Sequence, residues 1–107
     1  MTDPLSIERI VHKMPQKFNP DNAGGLDAVI QFSLTDAESF YVHVSPAGCD
    51  SQLGTHEDPS LVLHLDQTTL TDVINGDLDG MSAYLKGRLR AEGNVMLATR
   101  LGKLFSR

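Results

Sequence analysis

Residues 83–94 read Ala-Tyr-Leu-Lys-Gly-Arg-Leu-Arg-Ala-Glu-Gly-Asn, and the spacing of apolar residues changes twice along this stretch. A short helix is expected to end at Gly87, because glycine readily adopts the left-handed backbone that closes many helices. Leu89 and Ala91 then alternate with charged residues, which is the pattern of a strand with one buried face. Asn94 is a helix-capping residue. The stretch therefore predicts a helix, a strand and a second helix in close succession.

Helices are also expected at both ends of the chain and in the segment before this stretch. Near the start, apolar residues recur at helical spacing, at Ile7, Ile10, Val11 and Met14. Pro15 lacks an amide hydrogen and is expected to end this helix. Asp66 and Asp79 can each cap a short helix. After Asn94, a last helix is predicted by the apolar stripe Leu97, Ala98, Leu101, Leu104 and Phe105.

Strands are expected between the first two helices, where apolar residues recur at every second position. Residues 26–34 and 40–45 alternate apolar with other side chains, and residues 61–65 carry leucine at every second position. A weaker strand is expected at residues 49–53. With the strand at residues 88–92, these elements predict an α+β fold in which one curved, largely antiparallel sheet is covered on one face by helices.

Composition and charge exclude several classes of protein. With 107 residues and 11.7 kDa, residues 1–107 are expected to form a single domain. Apolar residues make up 40% and charged residues 21%, as in ordinary globular chains rather than disordered ones. The net charge of −5 argues against nucleic-acid binding.

The cysteine content and the hydropathy pattern bear on the compartment. A lone cysteine, Cys49, excludes an intramolecular disulfide and a cysteine-rich zinc site, and it indicates a reducing compartment. No apolar run approaches the length of a membrane span, and residues 1–6 do not resemble a signal peptide. We therefore expect a cytoplasmic protein.

Positive charge is concentrated after residue 85. Residues 86–107 hold six basic residues and one acid, whereas residues 1–85 hold three basic and thirteen acidic residues. The basic residues alternate along the predicted strand and then recur at helical spacing, which places them in two rows. Such rows could contact an anionic membrane surface or the phosphates of a ligand, although a solvated surface is the alternative. The candidate contacts are Lys86, Arg88, Arg90, Arg100 and Lys103, with Arg107 in the same helical row.

No metal or cofactor site is expected. His56, Glu57 and Asp58 are consecutive in a polar loop, with His64 further along, and this spacing does not bring ligands together. Cys49 has no sequence neighbour that would lower its pKa, so a catalytic thiol is not expected either.

The arrangement of these motifs resembles the sterol carrier protein-2 family of lipid-transfer domains. The likeness rests on the segment Asn75-Gly76-Asp77-Leu78-Asp79, on Gly87-Arg88-Leu89 with Gly93-Asn94 before the last helix, and upstream on Phe18-Asn19-Pro20 and Ala23-Gly24. It spans nearly the whole chain. The resemblance implies a five-stranded sheet backed by helices that enclose an apolar tunnel for sterols, fatty acids, acyl-CoA or other lipids. The final residues Phe105-Ser106-Arg107 differ from a Ser-Lys-Leu peroxisomal signal.

The resemblance implies a non-catalytic protein that binds and transfers hydrophobic ligands such as a fatty acid, fatty acyl-CoA, sterol or other lipid. The expected tunnel wall combines the inward face of the strands with the late helices, and it includes two methionines that adapt readily to different ligands. The alternative is that the same side chains fill a packed core. The wall residues are Ile30, Phe32, Phe40, Val42, Met81, Tyr84, Leu85, Met96, Leu97, Leu101 and Phe105.

Two other functions remain open at this point. The chain could be an accessory domain that presents a lipid-like intermediate, for example a quinone precursor, to partner enzymes. It could also be a small isomerase acting on hydrophobic substrates, with a buried Asp as base and Tyr41 or Tyr84 as the oxyanion donor. The isomerase hypothesis is the weaker one, because no acidic residue lies within an apolar stripe, where a buried base would be found.

Overall fold

The computed structural model describes residues 7–19, 21, 24–75, 77–94, 96, 97 and 104. Its helices and strands occur in the predicted order: α1 Ile7–Lys17, β1 Ala28–Leu34, β2 Phe40–Ser45, β3 Gly48–Leu53, β4 Leu61–Leu65, α2 Gln67–Ile74, α3 Gly80–Leu85 and β5 Arg90–Gly93. Met96, Leu97 and Leu104 are also helical, as the predicted last helix requires. Ala98, Leu101 and Phe105, which complete the predicted stripe of that helix, lie outside the described residues.

The five strands form one mixed sheet in the order β3-β2-β1-β4-β5. The pairs β1/β2, β2/β3 and β4/β5 are antiparallel, while β1 and β4 run parallel. The chain reaches β4 by returning from the β3 edge past β1, and along this path Ser60 donates its backbone N–H to Val29 O at 2.8 Å. The predicted α+β fold with a largely antiparallel sheet is confirmed, with one parallel pair at its centre.

The inward face of the three central strands is apolar. Strand residues that point the same way are buried at every second position: Ala28, Ile30, Phe32, Leu34, Phe40, Val42, Val44, Leu61, Leu63 and Leu65. Phe32 and Phe40 face each other across β1 and β2, and their rings stack with centroids 4.7 Å apart. An aromatic pair of this kind adds about 0.5–1.5 kcal/mol beyond its area burial.

Helix α1 continues through Pro15, contrary to the expectation that this residue ends it. Proline at this position cannot donate to the carbonyl of Val11. The Ser51 hydroxyl on β3 donates to that carbonyl instead. Buried Ile7, Ile10 and Met14 hold the helix against the core on both sides of Val11. A tertiary hydrogen bond and apolar packing therefore stabilise the helical conformation beyond Pro15, against its local preference.

Gln31 is buried on the other face of β1, where alternation alone predicts an exposed polar residue. Its side-chain amide donates to Phe40 O and to Gly54 O, both at 3.0 Å, and its Oε1 accepts from His56 N at 2.7 Å. These three bonds satisfy the buried amide and hold the loop after β3 against the sheet.

Strand β5 begins at Arg90, two residues later than predicted. The backbone N–H groups of Arg88 and Leu89 both donate to Ala83 O, at 2.9 and 3.3 Å, which closes α3 with a tight turn. Gly87 lies in this turn with φ +76°. Lys86 and Arg88 consequently precede the strand, so they do not share one strand face with Arg90.

Gly93 ends β5 at a point of close backbone approach. Its φ is +93°, and a Cβ at this position would lie 2.8 Å from Ser60 O. That carbonyl also accepts from Asn94 N at 2.9 Å, so it cannot move away without loss of this bond. Glycine is therefore required here for both backbone conformation and space.

We predict that Gly93→Ala lowers the free energy of unfolding by about 2 kcal/mol or more, because a positive φ alone costs an L-residue about 1–2 kcal/mol and the contact with Ser60 O adds to it. Urea unfolding measures the change. Gly87→Ala is the matched control, since its φ is also positive but no atom lies within 4 Å of the added Cβ. Equal losses in the two variants would show that the contact with Ser60 has no energetic effect.

Asp66 caps α2, as predicted, and accepts a hydrogen bond from Thr69 N at 2.7 Å. Hydrogen bonds from the side chain and the backbone of Thr69 lower the pKa of Asp66, partial burial opposes them, and the nearby charge of Arg88 adds a smaller lowering effect. A carboxyl with a lowered pKa stabilises the fold above its unfolded-state pKa, and this contribution is lost as the pH falls through its folded-state pKa.

We therefore predict that Asp66→Ala lowers the free energy of unfolding by about 1 kcal/mol at neutral pH, as is usual for loss of an N-cap. The difference from the parent chain should shrink in acid, and denaturation at a series of pH values measures it. Asp66→Asn is the control, because the amide oxygen still caps the helix but does not titrate. A constant difference at every pH would contradict the assigned role of the carboxylate.

Candidate functional site

The four predicted wall residues on the strands form one contiguous patch. Ile30 pairs with Val42 and Phe32 pairs with Phe40 across β1 and β2. All four side chains are at most 2% exposed. Their backbones bond to neighbouring strands, so the patch presents carbon atoms only. The patch therefore offers apolar contacts and no side-chain hydrogen-bonding group.

The predicted wall residues on the helices are divided between the interior and the surface. Leu97 is 3% exposed and belongs to the buried core. Met81, Tyr84, Leu85 and Met96 are 39%, 45%, 75% and 69% exposed. Leu101 and Phe105 lie outside the described residues. The structure thus groups Leu97 with the core that contains the strand patch, and places four of the predicted residues at the surface.

Several inward-facing residues were missed in the prediction from sequence. Leu61 and Leu63 of β4 lie beside Ile30 and Phe32 on the same face. The alternation of leucines in this segment predicts a strand with one buried face. It does not predict that this strand pairs with β1. Ala83 of α3 is fully buried. No pattern in the sequence distinguishes this small side chain from its larger apolar neighbours.

Two of the predicted basic residues, Arg88 and Arg90, line a polar cleft. This cleft has a volume of about 470 Å³ and is lined by Thr35, His64, Leu65, Asp66, Thr69, Gly87, Arg88, Arg90 and Glu92. Arg88 pairs with Asp72 at 3.5 Å. Arg90 is exposed and makes no ion pair among the described residues, and Lys86 is also exposed. Arg100 and Lys103 lie outside the described part of the chain.

His64 and Glu92 meet in this cleft, across β4 and β5. His64 Nε2 lies 3.2 Å from Glu92 Oε2. The nitrogen is buried but lacks the geometry of a hydrogen bond with any group in the described residues. The two groups therefore attract each other by charge only when the histidine is protonated, and they form no directed hydrogen bond.

His56, in the loop between β3 and β4, has a local structural role. His56 Nδ1 accepts from Asp58 N at 3.0 Å, and the His56 ring packs edge-on against Tyr41 with centroids 5.1 Å apart. Within the ranges that the structure describes, no three side chains of histidine, cysteine, aspartate or glutamate converge as a metal site would require.

Cys49 lies on β3 and is partly buried against the core. Burial, and secondarily the neighbouring Asp50 carboxylate, raise the pKa of its thiol from 9.0 to about 12. The thiolate is the reactive form of cysteine. This environment therefore suppresses reactivity at neutral pH.

A model of the SCP-2 sterol transfer family matches residues 7–106, nearly the whole chain. The chain therefore belongs to the SCP-2 sterol transfer family. Among known proteins, it is 37% identical over 47 residues to peroxisomal multifunctional enzyme A of Dictyostelium discoideum, a match that covers 44% of this chain and 11% of that protein.

Solved structures share the fold. The palmitated SCP2L2 of Aedes aegypti has a TM-score of 0.77 at 16% identity, covering 96% of both chains. The inverting sec-alkylsulfatase Pisa1 from Pseudomonas sp. has a TM-score of 0.82 at 16% identity, covering 94% of this chain but 16% of that one. The present chain thus corresponds in length to the first protein and to a small part of the second.

None of the helices in the described ranges could cross a bilayer. The longest of them, α1, has 11 residues, whereas a membrane-spanning helix needs about 20 apolar ones.

We predict that native Cys49 reacts at least about tenfold more slowly with iodoacetamide at neutral pH than the same thiol in the urea-unfolded chain, because its raised pKa lowers the thiolate fraction by more than the greater nucleophilicity of a more basic thiolate restores. Mass spectrometry of timed aliquots measures both rates. A free cysteine peptide in the same urea concentration controls for the effect of the denaturant. Equal rates for the native and unfolded chains would show that the thiol is not shielded.

Proposed function

We propose that this chain binds and transfers hydrophobic ligands without catalysing a reaction, as a carrier of a fatty acid, fatty acyl-CoA, sterol or other lipid. The observation that carries the proposal is the continuous apolar inward face of β1, β2 and β4 in a chain that belongs to a sterol transfer family. The palmitated state of the Aedes aegypti relative supports a fatty acyl chain as one ligand class. The single cysteine and its unreactive environment fit a reducing, cytoplasmic location.

The proposed ligand contacts are the strand patch of Ile30, Phe32, Phe40 and Val42, together with Leu97 and the stripe positions Leu101 and Phe105. Met81, Tyr84, Leu85 and Met96, which we predicted as further wall residues, are assigned to the surface around the site because of their exposure. No charged side chain lies among the strand contacts, so the ligand is held by its hydrocarbon part.

Apolar burial alone supplies enough free energy for such a carrier. Each buried methylene contributes about 0.8 kcal/mol, so an acyl chain of about sixteen carbons offers on the order of 13 kcal/mol gross. Loss of ligand freedom and ordering of the protein consume a large part of this. The remainder corresponds to dissociation constants roughly between micromolar and nanomolar. An affinity in this range holds a lipid and still allows its release.

A second candidate is an accessory domain that presents a lipid-like intermediate to partner enzymes. It is favoured by the two comparisons in which the chain corresponds to 11% and 16% of a larger protein, each of them an enzyme by name. Spontaneous transfer separates the two functions. A carrier moves a fluorescent fatty acid between two vesicle populations unaided, whereas an accessory domain retains its ligand until a partner binds.

The test of lipid binding begins with the purified protein. We expect native mass spectrometry to detect a co-purified lipid, and we expect added fatty acid to raise the melting temperature. A ligand at a hundred times its dissociation constant stabilises a protein by about 2.7 kcal/mol. Absence of a lipid adduct, together with no thermal shift from fatty acid, acyl-CoA or sterol, would refute the proposal.

We further predict that Val42→Phe reduces fatty-acid affinity at least about tenfold with little loss of stability, because the larger ring occupies ligand space on the inward face. In a solidly packed core the same change would cost about 1–3 kcal/mol of stability. Val62→Phe is the matched control, since Val62 lies between inward-facing Leu61 and Leu63 and so points to the other face of the sheet. Destabilisation by Val42→Phe without an effect on lipid binding would refute the assignment of these strand residues to the wall of a ligand site.

A further inference from the structure

Helix α3 has an exposed apolar side. Met81, Tyr84 and Leu85 are 39%, 45% and 75% exposed, whereas Ala83 is fully buried. Successive residues of a helix turn by about 100°, so the three exposed side chains lie within an arc of about 100° on the side away from Ala83. We call these three residues the α3 stripe. A contiguous apolar patch on the surface of a folded domain indicates an interaction site.

The two ends of the α3 stripe carry opposite charges. Asp79 precedes the first residue of α3, and Lys86 follows its last residue. Both side chains are exposed, and neither has an ion-pair partner in the part of the chain that the structure describes. Asp79 also makes no side-chain hydrogen bond as the N-cap of the helix. At a rise of about 1.5 Å per residue, the two charges lie about 10 Å apart along the helix axis.

The nearby arginines add little to the positive end of the stripe. Arg88 pairs with Asp72 at 3.5 Å, and Arg90 lines the polar cleft together with Asp66 and Glu92. A partner of a single charge, positive or negative, would attract one end of the stripe and repel the other. The partner that fits therefore has an apolar stripe with the same two charges in reverse order.

A second copy of α3, running antiparallel to the first, has this reverse order of charges. A twofold axis through the middle of the helix places Asp79 level with Lys86 of the second copy, and Met81 level with Tyr84. Each contact then occurs twice, because a twofold interface is formed by the same surface on both chains. A methionine sulfur beside an aromatic ring is also a favourable contact. Parallel pairing would instead bring like charges together.

We propose that two copies of this chain associate through antiparallel packing of their α3 stripes. Leu85, the most exposed residue of the stripe, is removed from water against the second helix and supplies apolar free energy. Asp79 and Lys86 pair at both ends and fix the direction of the helices. Because the twofold axis closes the assembly, a dimer forms rather than an open chain of molecules.

The size of the interface indicates a weak, reversible dimer. α3 has six residues, so the contact is smaller than the roughly 1,200 Å² that stable interfaces bury. The net charge of −5 on each copy also opposes association, although salt at physiological strength screens charges more than about 8 Å apart. We therefore expect a dissociation constant roughly between 10 micromolar and 1 millimolar.

Sedimentation equilibrium of the full chain measures this association at physiological salt. The mass should equal the 11.7 kDa of one chain in dilute solution and rise toward twice this value near about 1 millimolar. Leu85→Ser should weaken association at least about tenfold, because a leucine is lost from the interface on both copies. Leu53→Ser is the matched control, since Leu53 is also exposed but lies on β3, and this variant should associate as the parent chain does.

Charge reversal tests the antiparallel direction. Asp79→Lys and Lys86→Glu should each weaken self-association about tenfold, because each replaces attraction by repulsion at both ends and an exposed ion pair contributes up to about fivefold. In an equimolar mixture of the two variants, the mixed dimer has opposite charges at both ends. The mixture should therefore associate at least about tenfold more strongly than either variant alone. Damage to the fold cannot produce this recovery, and circular dichroism verifies that each variant is folded.

The proposal is overturned if the parent chain remains a monomer at about 1 millimolar, the weakest affinity expected. It is also overturned if the mixture of the charge variants associates no more strongly than each variant alone, or if Leu53→Ser weakens the dimer as much as Leu85→Ser. The inference goes beyond the proposed carrier function and does not depend on it. Fatty-acid binding by Leu85→Ser in dilute solution should equal that of the parent chain, so either property can fail while the other holds.

Discussion

The pairing of β1 on both of its edges is the constraint on which the rest of the structure depends. β1 pairs antiparallel with β2 and parallel with β4, and in this register Ile30 and Phe32 lie beside Val42, Phe40, Leu61 and Leu63. A shift of any one strand by a single residue would turn its apolar side chains to the opposite face. Gln31 opposes such a shift at the centre of the sheet, because its buried amide is satisfied only when Phe40, Gly54 and His56 are in place. Polar and apolar residues of one strand thus specify the same register.

Much of the fold follows from the local pattern of the sequence, and the remainder depends on contacts between distant residues. Alternation at residues 26–34, 40–45 and 61–65 was enough to locate the central strands, because a half-buried strand requires period two. The parallel pairing of β1 with β4 could not be predicted in this way, since it is set by the path of the chain after β3. Pro15 illustrates the same limit. Proline predicts a helix end locally, but Ser51 from β3 supplies the hydrogen bond that allows α1 to continue.

The candidate site likewise contains residues whose burial follows from the local sequence pattern and residues whose burial depends on distant contacts. Strand positions Ile30, Phe32, Phe40 and Val42 were assigned inward by their period, and the structure buries all four. The helical period does not predict which side of α3 is buried, because a helix of six residues has too few turns to define an apolar stripe. In a short helix, the side that faces inward is decided by the closest packing contact, and here that contact is made by Ala83, the smallest apolar residue available. The larger residues around it are consequently turned outward.

This geometry also limits what α3 can do. Leu85 lies about 160° around the helix from Ala83, since successive residues turn by about 100°. For Leu85 to contact a ligand on the inward face, the helix would have to rotate by nearly half a turn and release the bonds from Arg88 and Leu89 to the Ala83 carbonyl. Those bonds lead directly into β5, which pairs with β4 and carries Gly93 in close contact with Ser60. Rotation of α3 would therefore disturb the sheet edge itself. The apolar side of α3 and the apolar face of the sheet are therefore separate, and one ligand could not contact both while these bonds are in place.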